Sequence, residues 1–116
     1  MVSEEKKLRA YFVKTESGRE PVKDWLKRLH KNDRGIVGTD IKTVEYGWPI
    51  GMPTCKSLGK GLWEIRSNIS DGRIARVIFY IHEDKIILLH GFIKKTQKTP
   101  KGEIEIALNR KKSITF

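Results

Sequence analysis

Apolar residues recur along this chain at two different spacings, and the changes of period mark off its elements. Leu8 to Lys14 (LRAYFVK) combines aromatic and β-branched residues and ends at Thr15-Glu16-Ser17-Gly18, which predicts a first strand and a turn. Pro21 suits the first position of a helix, where it has no N–H to leave unpaired. Val22, Trp25, Leu26 and Leu29 then follow at helical spacing, with Lys23, Lys27 and Arg28 on the opposite side. His30 falls at the end of this helix as a solvated cap. Asp33 is placed to cap a second helix, whose stripe is Val37, Ile41 and Val44; Gly35 and Gly38 weaken it and Gly47 ends it. Residues 48–60 (WPIGMPTCKSLGK) are rich in proline and glycine and read as a loop.

Three strands are predicted next, Leu62–Ile69, Ile74–His82 and Lys85–Ile93, joined by Ser-Asp-Gly and by Glu-Asp. A last helix opens at Thr99 as cap and Pro100 in its first turn, with Ile104, Ala107 and Leu108 on its apolar side. The order is β-α-α-β-β-β-α. It predicts a single α+β domain over 1–116, a small antiparallel sheet with helices packed on one face.

The first hairpin fixes its own register. A two-residue Asp71-Gly72 loop would set Arg66 opposite Val77 and Trp63 opposite Tyr80, mixing charged and apolar side chains on both faces. A three-residue Ser70-Asp71-Gly72 loop puts Gly72 at the left-handed position and pairs Trp63 with Phe79, Ile65 with Val77, Glu64 with Ile78 and Arg66 with Arg76. One face is then wholly apolar. The other sets two guanidinium groups directly opposite each other, unfavourable unless an anion lies between them. Arginine grips a phosphate through two parallel hydrogen bonds; the alternative is that Glu64 neutralises one arginine on an ordinary solvated surface. The strand KIILLHGFIKK is apolar on both parities, as a central strand covered on both sides would be. His90 interrupts it and becomes an acid/base candidate if it shares the arginine face, or else a hydrogen-bonded core residue. Gly91 beside it admits a ligand or a backbone at close range.

Charge sharpens this picture. The 116 residues carry 24 Lys and Arg against 14 Asp and Glu, a formal +10. Such an excess favours polyanionic partners, although a basic surface kept only for solubility has the same composition. Residues 85–116 hold eight positive side chains against Glu103 and Glu105, more than half of the excess. Lys94, Lys95, Lys98 and Lys101, with Thr96, Gln97 and Thr99 between them, precede a helix and suit backbone phosphates; Lys60 adds a further cation before the three strands. The single Cys55 excludes an internal disulfide and suits a reducing compartment; with no His or Asn near it in sequence, it reads as an ordinary thiol. The start MVSEEKKLRAYF shows no apolar run after its charges, and the longest apolar run is the five residues Val77 to Ile81. No signal peptide or membrane span is expected, and the cytoplasm is the expected compartment. No cluster has metal-ligand spacing, so neither metal nor cofactor is expected.

The run LLHGFIKKTQKTPKGEIEIA at 88–107, GLWEIR at 61–66 and GREPVKDWL at 18–26 strongly resemble the phage-derived, HigB-like branch of the RelE/ParE toxins. The resemblance implies a RelE-like fold and an endoribonuclease that enters the ribosomal A site and cleaves mRNA there. It further implies a small helix-turn-helix antitoxin of the HigA kind, paired with the toxin in a heterotetramer. Carried over by position, it makes Arg66, Arg76, His90 and Lys95 the catalytic candidates and Lys94 an RNA-binding one; Lys98, Lys101 and Lys60 are RNA-binding candidates by their charge. In transesterification a ribose 2′-OH attacks its own 3′-phosphate; Arg66 and Arg76 are expected to bear the charge and His90 or Lys95 to move protons. Two alternatives stay open: a ParE-like poison of DNA gyrase, and a non-toxic basic module that stacks nucleic acid on an available tryptophan, for which Trp48 is the candidate.

Overall fold

The structure, a computed structural model, describes residues 5–95 and 97–114; Thr96 of the basic loop lies outside the described residues, as do the first four and last two positions. The elements are β1 (Arg9–Phe12), α1 (Pro21–Arg28), α2 (Lys31–Gly47), β2 (Cys55–Gly59), β3 (Leu62–Asn68), β4 (Ile74–His82), β5 (Lys85–Lys94) and α3 (Lys101–Ser113). The strands form one sheet in the order β1-β5-β4-β3-β2. The fold is α+β, as expected from the pattern of periods, and compatible with a RelE-like fold.

Three features of the expected architecture change. The sheet is mixed, because β1 runs parallel to β5, from Arg9 beside Lys85 to Phe12 beside Leu88. No tight turn connects those two strands, so nothing local imposes an antiparallel pairing. Part of the expected loop is a strand: β2 pairs antiparallel with β3, Cys55 opposite Ile65 and Ser57 opposite Trp63, with an irregularity before Gly59. A glycine-containing edge strand with a bulge carries little strand signal in its sequence. Helices also cover both faces. On one, Val22 of α1 and Val37, Ile41 and Val44 of α2 pack on Ile65, Val77, Phe79, Ile86 and Leu88. On the other, Ala107 of α3, with Ile104 and Leu108, covers Leu62, Ile78, Tyr80, Ile87, Leu89 and Phe92. Strands β4 and β5 are apolar on both parities, and each face must be taken out of water at about 25 cal/mol per Å² of apolar area.

The β3–β4 register is the one the hairpin argument selects, with Trp63 opposite Phe79, Ile65 opposite Val77 and Arg66 opposite Arg76. Asp71 (φ 61°) and Gly72 (φ 67°) both take the left-handed conformation in the loop. Asp33 does not cap α2. His30 does, its Nδ1 accepting the Asn32 N–H at 3.3 Å. Asp33 is buried one turn further in, where it accepts the Ser70 N–H at 3.1 Å, the Ser70 hydroxyl at 2.9 Å and the Arg73 guanidinium at 3.0 Å. The Ser70 backbone bond foremost holds its carboxyl below the usual range, and the contact pins α2 to the hairpin loop. Thr99 likewise leaves the capping position to Pro100.

The close neighbour that Gly91 admits is the indole of Trp25, whose Cε3 would stand 2.3 Å from a Cβ at that position. Trp48 is not available for stacking, since it packs edge-on against Trp63 (5.0 Å) and Phe79 (5.7 Å). Among the described residues no helix is long and apolar enough to cross a membrane.

Candidate active site

On the face covered by α3, β3 contributes Leu62, Glu64 and Arg66, and β4 contributes Arg76, Ile78 and Tyr80. Arg66 and Arg76 stand directly opposite each other. Two cations so placed need a counter-charge, and Glu64 supplies it: its Oε1 lies 2.8 Å from Arg66 Nε and 4.0 Å from Arg76 Nε. Its Oε2 accepts the Thr99 hydroxyl at 2.5 Å. Glu64 and Arg76 are both 0% exposed. Burial is the main reason the Arg76 guanidinium is pulled below its ordinary range; Glu64 opposes this and Arg66 adds to it. Two guanidiniums on one carboxylate leave the cluster one positive charge.

That charge reaches the surface on one side only. Arg66, whose side chain keeps 11% exposure, also donates to the backbone carbonyl of Gln97 and, at 3.5 Å, to its Oε1. It lines a cleft of about 280 Å³ together with Asp40, Thr54, Asn68, Ile74 and Gln97, so one carboxylate shares the opening with it. Arg76 is enclosed behind it. The sequence expectation of a symmetric pair gripping one phosphate is therefore replaced by one outward arginine backed by a buried one.

His90 does lie on the arginine face, owing to a bulge. Leu88 pairs with Phe79 and His90 with Ile78, so Leu89 is an extra residue and the later half of β5 changes phase. His90 is diagonal to Arg76, and Phe92 touches both, stacked on the imidazole at 5.5 Å and 5.9 Å from the Arg76 guanidinium. Both ring nitrogens are engaged. Arg110 Nη1 donates to Nδ1 at 3.1 Å, which leaves Nε2 to carry the proton and donate to Glu103 Oε2 at 2.6 Å. Burial, first among the causes, pulls the imidazole below its ordinary value despite Glu103, so the neutral ring is favoured. Sequence reasoning missed Glu103 and Arg110 as partners. Their seven-residue spacing, two turns along one helix face, was the available signal.

The lysines divide. Lys94 ends β5 opposite Ile74, at the arginine end of the ladder, and Lys95, Lys98 and Lys101 follow it, all exposed. Lys60 is not brought there. It occupies the β2–β3 turn beyond the Leu62–Tyr80 end, where its carbonyl accepts from Lys111 Nζ at 3.4 Å. Cys55 is 1% exposed, and burial pushes its thiol up to about 11. Among the described residues no three His, Cys, Asp or Glu gather closely enough to hold a metal ion.

Residues 24–112 match the family described as phage derived protein Gp49-like (DUF891). No curated protein matches the chain. The matched span runs from α1 into the last turn of α3 and takes in Glu64, Arg66, Arg76, His90, Glu103 and Arg110. With about three quarters of its length matched, the chain belongs to the Gp49-like family of phage-derived proteins, a family of the RelE/HigB toxin type.

Proposed function

We propose that the chain is the toxin of a toxin–antitoxin pair and acts as a ribosome-dependent mRNA endonuclease. The observation that carries this reading is the Arg66–Glu64–Arg76 cluster, which is net positive and presents a single guanidinium to a small polar cleft. In transesterification a 2′-oxygen attacks its adjacent phosphorus and the 5′-oxygen leaves, with negative charge accumulating on the non-bridging oxygens. Arg66 stabilises that charge. Arg76 acts as a positioning residue: it shares the Glu64 carboxylate, so Arg66 keeps surplus charge to offer a phosphate.

His90, with its two nitrogens taken by Arg110 and Glu103, serves through position rather than as a mobile base. The proton transfers fall to Lys95 or to a ribosomal group, and Lys94, Lys98 and Lys101 track the backbone. The partners are translated mRNA in the A site and a HigA-like helix-turn-helix antitoxin, the pair assembling as a heterotetramer, and the compartment is the cytoplasm. The chemistry requires no cofactor. A bare nucleic-acid-binding module is disfavoured because Trp25, Trp48 and Trp63 all pack against the core under α1 and α2.

The test is a purified translation system with 5′ ends mapped by primer extension, alongside a gyrase supercoiling assay. Cleavage of translated message that Arg66→Ala lowers by about 10²–10³-fold is the expected result. Intact message with blocked supercoiling would replace this reading by the gyrase one, and harmless expression without an antitoxin would remove toxicity altogether.

A further inference from the structure

β1 pairs with β5 only as far as Leu88; after Val13 donates to the Leu88 carbonyl at 3.0 Å, the chain turns away through Thr15 to Arg19. The later half of β5 therefore has no strand beside it on that side. The opening is a cleft of about 420 Å³ between this turn, α1 and the end of α3. That volume is in the range of small-ligand sites, which run from roughly 300 to 1,000 Å³.

Three arginines from three separate segments line it: Arg19 from the turn, Arg28 from α1 and Arg110 from α3. Arg110 is fixed in place, because its Nη1 donates both to the Leu89 carbonyl (2.9 Å) and to His90 Nδ1 (3.1 Å). Among the described residues neither Arg19 nor Arg28 makes a side-chain ion pair. Among the described residues that line the cleft Asp24 is the single carboxylate, and Glu103 stands behind His90 and Arg110, so three arginines against two carboxylates leave a net +1. The hydroxyls of Thr15 and Ser17, 3.0 Å apart, add donors at the rim. Arg19 and Arg28, which have no carboxylate partner among the described residues, converge with Arg110 on a concavity, and an anion able to accept several hydrogen bonds relieves their mutual repulsion.

We propose that this cleft is a second phosphate-binding site, distinct from the Arg66 cleft, that takes the phosphate of a nucleotide. A free mononucleotide and the backbone of an RNA strand present the same group. Its size accommodates the attached sugar, and Trp25 supplies an apolar wall. The site stands whether or not the Arg66 cleft cleaves RNA.

The full-length chain is titrated by calorimetry with inorganic phosphate, adenosine 5′-monophosphate and a short oligoribonucleotide, each at two salt concentrations. The comparison set is the Arg19→Ala/Arg28→Ala double variant, Asp24→Asn and, as a control outside both clefts, Arg34→Ala. All of the altered cleft residues are exposed, so these variants keep the fold. The double variant is expected to bind the mononucleotide at least tenfold more weakly with a shallower salt dependence, Asp24→Asn several-fold more tightly, and Arg34→Ala as wild type. Binding shared by mononucleotide and oligonucleotide supports a nucleotide site; binding by the oligonucleotide alone, lost in the double variant, supports a strand-tracking one. No binding by wild type at low salt, or an affinity unchanged in the double variant, overturns the proposal.

Discussion

Arg66 and Arg76 face each other across the β3–β4 ladder and share Glu64, yet only Arg66 lines a cleft. Their alanine variants should therefore fail differently. Arg66→Ala should lose cleavage of translated message beyond what any loss of folded protein explains, and its urea midpoint should fall as well, since it removes the 2.8 Å partner of the buried Glu64 carboxylate. Arg76→Ala removes a fully enclosed partner of a buried carboxylate and should cost about 3–5 kcal/mol of stability, lowering cleavage along with the folded population. An Arg76→Ala protein with a wild-type midpoint and no activity would restore a direct role in the chemistry.

Gly91 has no room for a side chain. A methyl group there meets three carbons of the Trp25 ring at 2.3, 2.6 and 2.7 Å, and the indole is wedged between α1 and the sheet. Gly91→Ala should destabilise by about 1–3 kcal/mol, read from urea unfolding. A shift in the near-ultraviolet circular dichroism should accompany it.

His90 gives stability a pH dependence with a definite sign. Burial depresses its folded value below the ordinary one of about 6.5, so on acidification the unfolded chain takes up a proton before the folded one does. The contribution is complete above about pH 6.5, declines as pH falls toward the depressed folded value, and is lost below it. Unfolding midpoints measured from pH 8 to 5 should fall for wild type, and that part of the slope should vanish in His90→Gln. Asp33, also depressed, loses its contribution only further down, at and below the ordinary carboxylate range near 3.8.

Cys55 should resist alkylation. With 1% exposure and a thiol raised to about 11, its thiolate fraction at pH 8 is on the order of 10⁻³ even before access is counted. Thiol reagents should label the native chain at least about a hundredfold more slowly than the urea-unfolded one.

What the sequence revealed follows from where side-chain chemistry leaves no choice. The Arg66–Arg76 pairing was readable because a one-residue slip would mix charged and apolar residues on both faces of β3 and β4. β5 offered no such contrast. Ile86, Ile87, Leu88 and Leu89 satisfy either face equally, so the bulge at Leu89 left no trace in the pattern, and the face of His90 stayed undecided. The second layer, α3, was hidden by the same ambiguity. Partners supplied across the fold, such as Glu103 and Arg110 for His90 or Thr99 for Glu64, depend on packing that no local period encodes.

The parallel pairing of β1 with β5 also orders events in time. Arg9 to Phe12 leave the ribosome long before Lys85 to Leu88, so the first strand synthesised must wait, unpaired, for nearly the entire domain to follow. A nascent chain interrupted short of β5 already carries the β3–β4 hairpin with its facing arginines, but it lacks the docking edge for β1 and the strand that brings His90 beside them.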